Sequence, residues 1–535
     1  MMKKIKIVTI SLILAVSAVM ISINTCNISE NNSQASRNDN YLTPESADSW
    51  EMSNITIDDD GGTYGSLTWA EAETKEWCIK VGGVYIIENV TINAGFSGDG
   101  ILIKDSNATF IIRNCSVEYS QGPYTTYAGI KLENTNNGTI TLSNFTDNQG
   151  AGIALTSGCH NITISHNIVI NNSVFGITLE NGCDNNVLFN NTVNGDNSNR
   201  QNTGIYINDE CNSNIISNNT INKNYQYGIR IDNSHDTIIA NNSIDSQSST
   251  DSAIYLQNSY DSVVSANDMY GCGLFLQGGS ISEWTHTIYT NNTVNGKRIY
   301  YYLGESGLNN LDFTSDGTPA QIILAQCSDS IISNYDLSGG SVGVQLYESE
   351  NITISNNTIS DNREDGIRFD NNCINNTIFN NTIDSNTNVN GISFQSSSNN
   401  NISENTIIGN LYGIWFRIDC DNNDIINNMI RENQAFGIYL WGTHDNNKII
   451  NNTIYDNSDG MWLRDHCTGN VIKNNTIKDN NGHGLWVREY CTGNSIINNQ
   501  VQDTVAGSTQ THGIILTVES NENLIVNNTA NGNEQ

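Results

Sequence analysis

The sequence predicts an all-β fold, a right-handed parallel β-helix solenoid of about sixteen coils of 22–25 residues with an N-terminal cap. Three observations carry that prediction. First, a Gly opening a Gly-Ile-x-Leu phrase recurs at 100, 129, 152, 176, 204 and 228, with Ala253 and Gly273 in the same role. It resumes with Ala320 and then Gly343, Gly366, Gly391, Gly413, Gly437, Gly460, Gly484 and Gly513. Second, apolar residues alternate within short runs, as in Ile414-Trp415-Phe416 or Ile162-Thr163-Ile164, and no useful length shows helical spacing. Third, 89 of the 535 residues are Asn, a poor former of both helix and strand. Strands this short do not stand as independent hairpins. Stacked three to a coil they bury one another's apolar face, and sixteen coils at ~4.8 Å each give a rod on the order of 75 Å.

In chain order, Lys3, Lys4 and Lys6 precede an uncharged apolar run from Ile7 to Ile23. Residues 1–26 therefore read as a signal peptide or N-terminal anchor, with Cys26 as a lipid acceptor in a third version. Either way the chain is secreted or held at the cell surface, with an N-terminal membrane tether as one form. Residues 27–49 are a polar linker. Residues 50–98 open the rod as a cap and first coils, and 99–276 form the first half of the solenoid. Residues 277–319 break the repeat with Trp284, Tyr289, Lys297-Arg298 and Tyr300-Tyr301-Tyr302. They read as an enlarged coil with a loop insertion, and 320–535 form the second half.

The Asn excess belongs to the turns. Asn190, Asn218, Asn380, Asn427, Asn451, Asn474, Asn498 and Asn527 all lie fourteen residues after their repeat's Gly. Stacked Asn side chains can bond amide to amide, and Asn tolerates the left-handed backbone of a sharp turn. The same Asn-Asn-Thr triplets are glycosylation sequons.

Composition removes several functions. The net charge is −33, from 56 acidic against 23 basic residues, and no basic stripe exists for nucleic acid. A hydrophobic content of 37% with only 3 Pro excludes a disordered or linker-rich chain.

On the phrases GGVYIIENVTINA, FIIRNCSV, NNTVNGKRIYYY and AQIILAQCSDSIISNYDL and the NNTI coils, residues 50–535 resemble the NosD-like family of right-handed β-helix proteins. That family has the pectin-lyase-like fold and lies within the carbohydrate-binding and sugar-hydrolase group. The likeness is greatest to secreted archaeal members. The resemblance implies the fold and a secreted or surface location. It implies no single activity, because related β-helices include lyases, hydrolases, epimerases and copper-delivery proteins.

Register picks out the exposed chemistry. The second position after the Gly varies freely (Lys131, Ala154, Thr178, Arg230, Gln345, Arg368) and so points outward. In four consecutive coils it holds Trp415, Tyr439, Trp462 and Trp486, with Arg417, Trp441, Arg464 and Arg488 two residues on. Two readings follow: a platform on which sugar rings stack while arginines bind hydroxyls or carboxylates, or a self-stacking ladder that stabilises the sheet. Tyr206, Tyr255 and Phe275 make a shorter version in the first half. Catalytic candidates are Asp465 and Glu489, equivalent positions in adjacent coils, with His466 beside them. Asp459, His483 and His512 align one residue before their Gly, and Asp419 and Asp421 share a turn.

Eight cysteines (159, 183, 211, 327, 373, 420, 467, 491) lie seven residues after the Gly, with His235 and His444 in the same column. One ligand per coil cannot surround a tetrahedral ion, so the column reads as buried thiols and no metal site is assigned. Copper is weakly supported, since there is no Met-rich or His-rich tract. The acidic turns permit Ca²⁺, although no GGxGxD repeat occurs. The expected partner is a polysaccharide or other glycan, and an open last coil allows end-to-end self-association. The function expected is carbohydrate binding on the outward face of 413–490. The alternatives are a polysaccharide lyase or glycoside hydrolase in the same groove, and a structural or adhesive rod without activity.

Overall fold

The computed structural model describes residues 50–63, 65–121, 127–195, 201–245, 252–386, 389–504 and 510–534. The signal or anchor segment and the polar linker lie outside them. The described chain is a parallel β-solenoid with little helix, as the repeat predicts. One coil shows the rule. Asp459–Arg464, Val471–Lys473 and Thr476–Lys478 pair in parallel with His483–Arg488, Ser495–Ile497 and Gln500–Gln502 of the next coil. Met461, Leu463, Ile472 and Ile477 point inward and are fully buried. The recurrent Gly is required by space. A Cβ on Gly460 would lie 2.5 Å from the Gly484 carbonyl oxygen and 2.6 Å from Ile477 Cγ2.

Each coil turns corners at Gly469, Asn474 and Asp479, all with positive φ, and each is followed by a buried Asn: Asn470, Asn475 and Asn480. These stack into three ladders. Asn452 Nδ2 donates to Asn475 Oδ1 at 3.0 Å and Asn475 Nδ2 to Asn499 Oδ1 at 3.0 Å. Asn447 to Asn470 (3.0 Å) and Asn457 to Asn480 (3.1 Å) repeat the pattern at the other corners. The same oxygens accept main-chain N–H groups, as Asn475 Oδ1 does from Asn452 N at 2.9 Å. This corrects the sequence reading, which put the ladder fourteen residues after the Gly. Asn451 and Asn474 there are exposed residues in the left-handed region, and the ladder runs through their successors. The spacing Asn470, Asn475, Asn480, every five residues, was the signal for three ladders.

The first coil is closed by the short helix Trp69–Ala72, started by a Thr68/Glu71 capping box. Trp69 stacks on Tyr85 (4.8 Å) and Phe110 (5.5 Å) and donates Nε1–H to Ser106 Oγ at 2.8 Å. In the last described coil Leu524, Ile525 and Val526 are exposed.

Residues 277–319 do more than enlarge a coil. Thr287–Ile288 and Thr293–Val294 complete the last turn of the first solenoid. Asn295-Gly296, both at positive φ, then makes a two-residue hairpin that sets Lys297–Leu303 antiparallel to Thr293–Val294. From Lys297–Leu303 onward the pairing is parallel again, through Pro319–Ala325 and Val344–Tyr347. Strand Pro319–Ala325 is buried on both sides. Ile323 and Ala325 join the core of the first solenoid, while Ile322 and Leu324 join that of the second. Phe313 closes the start of the second core, edge-on to Tyr300, Tyr302 and Tyr335. Two solenoids therefore share one sheet, and the outward side of the second begins against the end of the first. Trp284 stacks on Tyr347 at 4.4 Å, Arg363 Nε donates to Gly271 O at 2.9 Å, and Gln345 Nε2 to Leu276 O at 2.8 Å.

Candidate functional site

The outward second position becomes an aromatic ladder in each solenoid. In the first, cross-strand register stacks Tyr206, Arg230, Tyr255 and Phe275 one coil apart. Tyr255 and Phe275 lie 5.5 Å apart at 11°, and Tyr227 joins at 5.0 Å from Tyr255. The Arg230 guanidinium sits over Tyr206, Tyr227 and Tyr255, at 5.1 to 5.5 Å, and is paired with Asp232 at 2.7 Å.

In the second solenoid Trp415, Tyr439, Trp462 and Trp486 fall in one register column. Trp462 and Trp486 stack at 4.6 Å and 4°, Tyr439 and Trp462 at 5.2 Å, Trp415 and Tyr439 at 6.4 Å. Arg417, Arg464 and Arg488 lie over Trp415, Trp462 and Trp486. The interior rings face one another, and Tyr439 is only 6% exposed, so mainly ring edges are left open to solvent. Trp441 is the open ring, 44% exposed. Trp415 ends the ladder, because its neighbour in the preceding coil is Ser393, which has no ring to stack on it.

The two ladders end at one cleft of about 500 Å³ at the junction. Tyr227, Tyr255, Phe275 and Gln277 line it from the first solenoid; Glu364, Asp365, Arg368, Asn390, Tyr412, Trp415 and Arg417 line it from the second. Gln345 and Arg368 do point outward as their register requires, but into this junction, where Gln345 is fully buried and Arg368 is 6% exposed. The Arg368 guanidinium lies 5.1 Å from the Phe275 ring and pairs with Asp370 (2.9 Å) and Asp365 (3.3 Å). Burial works against its charge, and Asp370 and Asp365 more than offset this, raising it above the usual arginine value. Asp365 also accepts from Asn390 Nδ2 at 2.6 Å and Ser393 Oγ at 2.5 Å. For Arg417 burial comes first and the neighbouring Arg368 second, and both push its guanidinium below the usual value. Sequence reasoning missed Tyr227, Asp365, Asn390 and Tyr412. All four stand one residue before a repeat opener, the column already marked by Asp459, His483 and His512.

The other expected groups fall elsewhere. Asp465 and His466 share an exposed turn, bonded Oδ1 to Nδ1 at 2.7 Å. Glu489 is held by Arg464 at 2.8 Å and Arg488 at 2.9 Å. None of the three lines the cleft. His483 accepts no role beside the cleft either: its N–H bonds Asp459 Oδ1 and its Nδ1 meets Thr511 Oγ1 at 2.8 Å.

The thiol column is a fourth ladder. Cys159 N donates to Cys183 Sγ at 3.3 Å, Cys183 N to Cys211 Sγ at 3.1 Å, and Cys420 N to His444 Nδ1 at 3.1 Å. Every described cysteine is buried and none of them forms a disulfide with another, and burial pushes Cys373 and Cys420 up to about 12. His235 is not in the column: Ser234 Oγ accepts from Cys211 N, and His235 turns out to stack on Tyr260.

A family model described as periplasmic copper-binding protein (NosD) matches residues 53–252, 309–461 and 451–535, and a right-handed β-helix model matches 196–313. No curated protein sequence matches the chain. Among solved structures, the periplasmic alginate epimerase AlgG is 11% identical, covering 90% of this chain and 84% of that one, with a TM-score of 0.28. PfbA, a surface adhesin of Streptococcus pneumoniae, is 11% identical over 65% and 86% of the two chains, with a TM-score of 0.30. The catalytic domain of a GH87 α-1,3-glucanase is 12% identical over 66% and 60%, at 0.33. Likenesses this distant bear on neither activity nor ligand. The copper in the family's description finds no fitting donor set among the described residues. No three His, Cys, Asp or Glu side chains converge, and the stacked thiols and His444 are occupied with main-chain groups of neighbouring coils. With the family model matching well over half its length, the chain belongs to the NosD family of extracytoplasmic right-handed β-helix proteins.

Proposed function

We propose that this chain is a carbohydrate-binding protein that holds a polysaccharide in the junction cleft and along the adjoining face of Trp415, Arg417, Tyr439, Trp441, Trp462, Arg464, Trp486 and Arg488. One observation chiefly supports the reading: an aromatic ladder from each solenoid ends at the same cleft, beside arginines and carboxylates. Sugars present apolar C–H faces rimmed by hydroxyls, and ring faces set among charged donors and acceptors match that chemistry. Trp415 supplies the terminal ring, and the half-buried arginines beyond it supply a polar rim for a longer strand.

Screening the secreted chain on a glycan array tests this. The expected result is binding to at least one polysaccharide, weakened roughly tenfold or more by Trp415→Ala, as for a buried aromatic anchor. An empty array, or affinity unchanged in both Trp415→Ala and Trp462→Ala/Trp486→Ala, would contradict it. A lyase or hydrolase working in the same groove is the second reading, favoured by Asp365, a carboxylate only 3% exposed at the cleft wall. It expects products released from a bound polysaccharide and their loss in Asp365→Asn.

A further inference from the structure

The arginines on the two aromatic faces are not equivalent. Arg230 is paired with Asp232, Arg368 with Asp365 and Asp370, and Arg464 and Arg488 with Glu489. Arg417 is the exception. Among the described residues no carboxylate lies within ion-pair distance of it, although it lines the cleft and its guanidinium is stacked 4.6 Å from the Trp415 ring centre. A guanidinium drawn out of water without a carboxylate paired to it is costly, and this one faces a second arginine. Its lowered pKa agrees with that geometry.

Two further groups in the same cleft lack partners. Asn390 is 7% exposed; its Nδ2 is committed to Asp365, and its Oδ1 accepts nothing. Trp415 Nε1–H, also buried, donates to nothing. Buried polar atoms are ordinarily satisfied; these two lie beneath the cleft surface, and the unpaired cation that lines the opening itself is Arg417. A ligand that satisfies Arg417 carries a negative group.

Resting on the carbohydrate reading, we infer that the junction cleft is a subsite for an anionic sugar residue, its carboxylate or sulfate held by Arg417. Arg417 is also what makes an anion tolerable there. Asp365 and Asp370 stand in or beside the cleft, and Arg368 alone offsets only one of these two carboxylates. Removing the Arg417 charge should therefore reverse the preference of the site, beyond weakening it.

The test titrates the secreted chain with two matched pairs of polymers at about 0.15 M salt, where long-range repulsion from the acidic protein is screened. Polygalacturonate against its methyl ester probes carboxylate; dextran sulfate against dextran probes sulfate. The wild type is expected to bind the anionic member of one pair roughly tenfold or more tighter, and that pair names the anion. Arg417→Gln is expected to prefer the neutral member, while Arg417→Lys keeps the anionic preference. Lys448→Gln, on another face, should change nothing, and unchanged circular dichroism establishes that each variant folds. Equal or tighter binding of the neutral polymers by the wild type would overturn the anionic subsite and leave carbohydrate binding standing. An anionic preference that persists in Arg417→Gln would overturn the role of Arg417. Failure to bind any of the four, with an empty glycan array, would overturn both readings together.

Discussion

Asn451 and Asn452 are adjacent and chemically identical, yet they hold the coil in different ways. Asn451 is exposed with φ at 59°, a conformation Gly adopts freely. Asn452 is buried; its Nδ2 donates to Asn475 Oδ1 (3.0 Å) and Ile425 O (2.8 Å), and its Oδ1 accepts from Asn428 N (2.9 Å) and Nδ2 (3.0 Å). Asn451→Gly should leave stability within about 1 kcal/mol. Asn452→Ala strands several buried groups and should cost about 3 kcal/mol or more. Urea unfolding of the two variants checks this, and equal effects would refute the division of labour. The sequence revealed that Asn belongs to the turns, since the triplets recur at fixed distance from the Gly. It did not reveal which Asn of each pair turns inward, because that depends on a single left-handed residue at each corner.

Among the elements, the coils were legible and the junction was not. A coil repeats its pattern more than a dozen times, so period-two alternation and a fixed Gly leave little choice of register. The junction is made once. Its signal was the dipeptide Asn295-Gly296 between Thr293-Val294 and Lys297-Arg298, a hairpin turn in an otherwise parallel chain. Strand Pro319–Ala325 gave a second sign, being apolar on both faces as a strand between two cores must be. The junction also carries a pH-sensitive residue. His286 is 5% exposed, its Nδ1 accepts from Ser262 N at 3.3 Å, and burial pushes its imidazole down to about 4. The folded state prefers the neutral ring, so its contribution is complete above about pH 6.5 and is lost as pH falls toward 4, up to about 3 kcal/mol. Hydrogen exchange, corrected for intrinsic rates, should show amides near Ser262 and Thr287 losing protection between pH 7 and 4.5. His286→Gln should flatten that dependence. Protection in the wild type that ignores pH over this range would contradict the assignment.

At the scale of the whole molecule, the proposed function depends on two solenoids meeting. Each aromatic ladder was visible in the sequence as a column two residues after the Gly, from Tyr206 to Phe275 and from Trp415 to Trp486. Nothing in either column says that Phe275 and Trp415 border one cleft, since they are brought together by the reversal at Asn295-Gly296 and the shared sheet beyond it. In the proposed reading the platform expected at 413–490 is one half of a surface that continues into the first solenoid. Its interior rings are used on one another, and the ladder opens where it reaches the junction. The most direct measurement is hydrogen–deuterium exchange of the full chain with and without a saturating oligosaccharide identified by the array. Ligand should protect peptides from both solenoids at once, around 227–232, 253–277, 364–393 and 411–417. Protection confined to 459–490, or to one solenoid alone, would contradict the account.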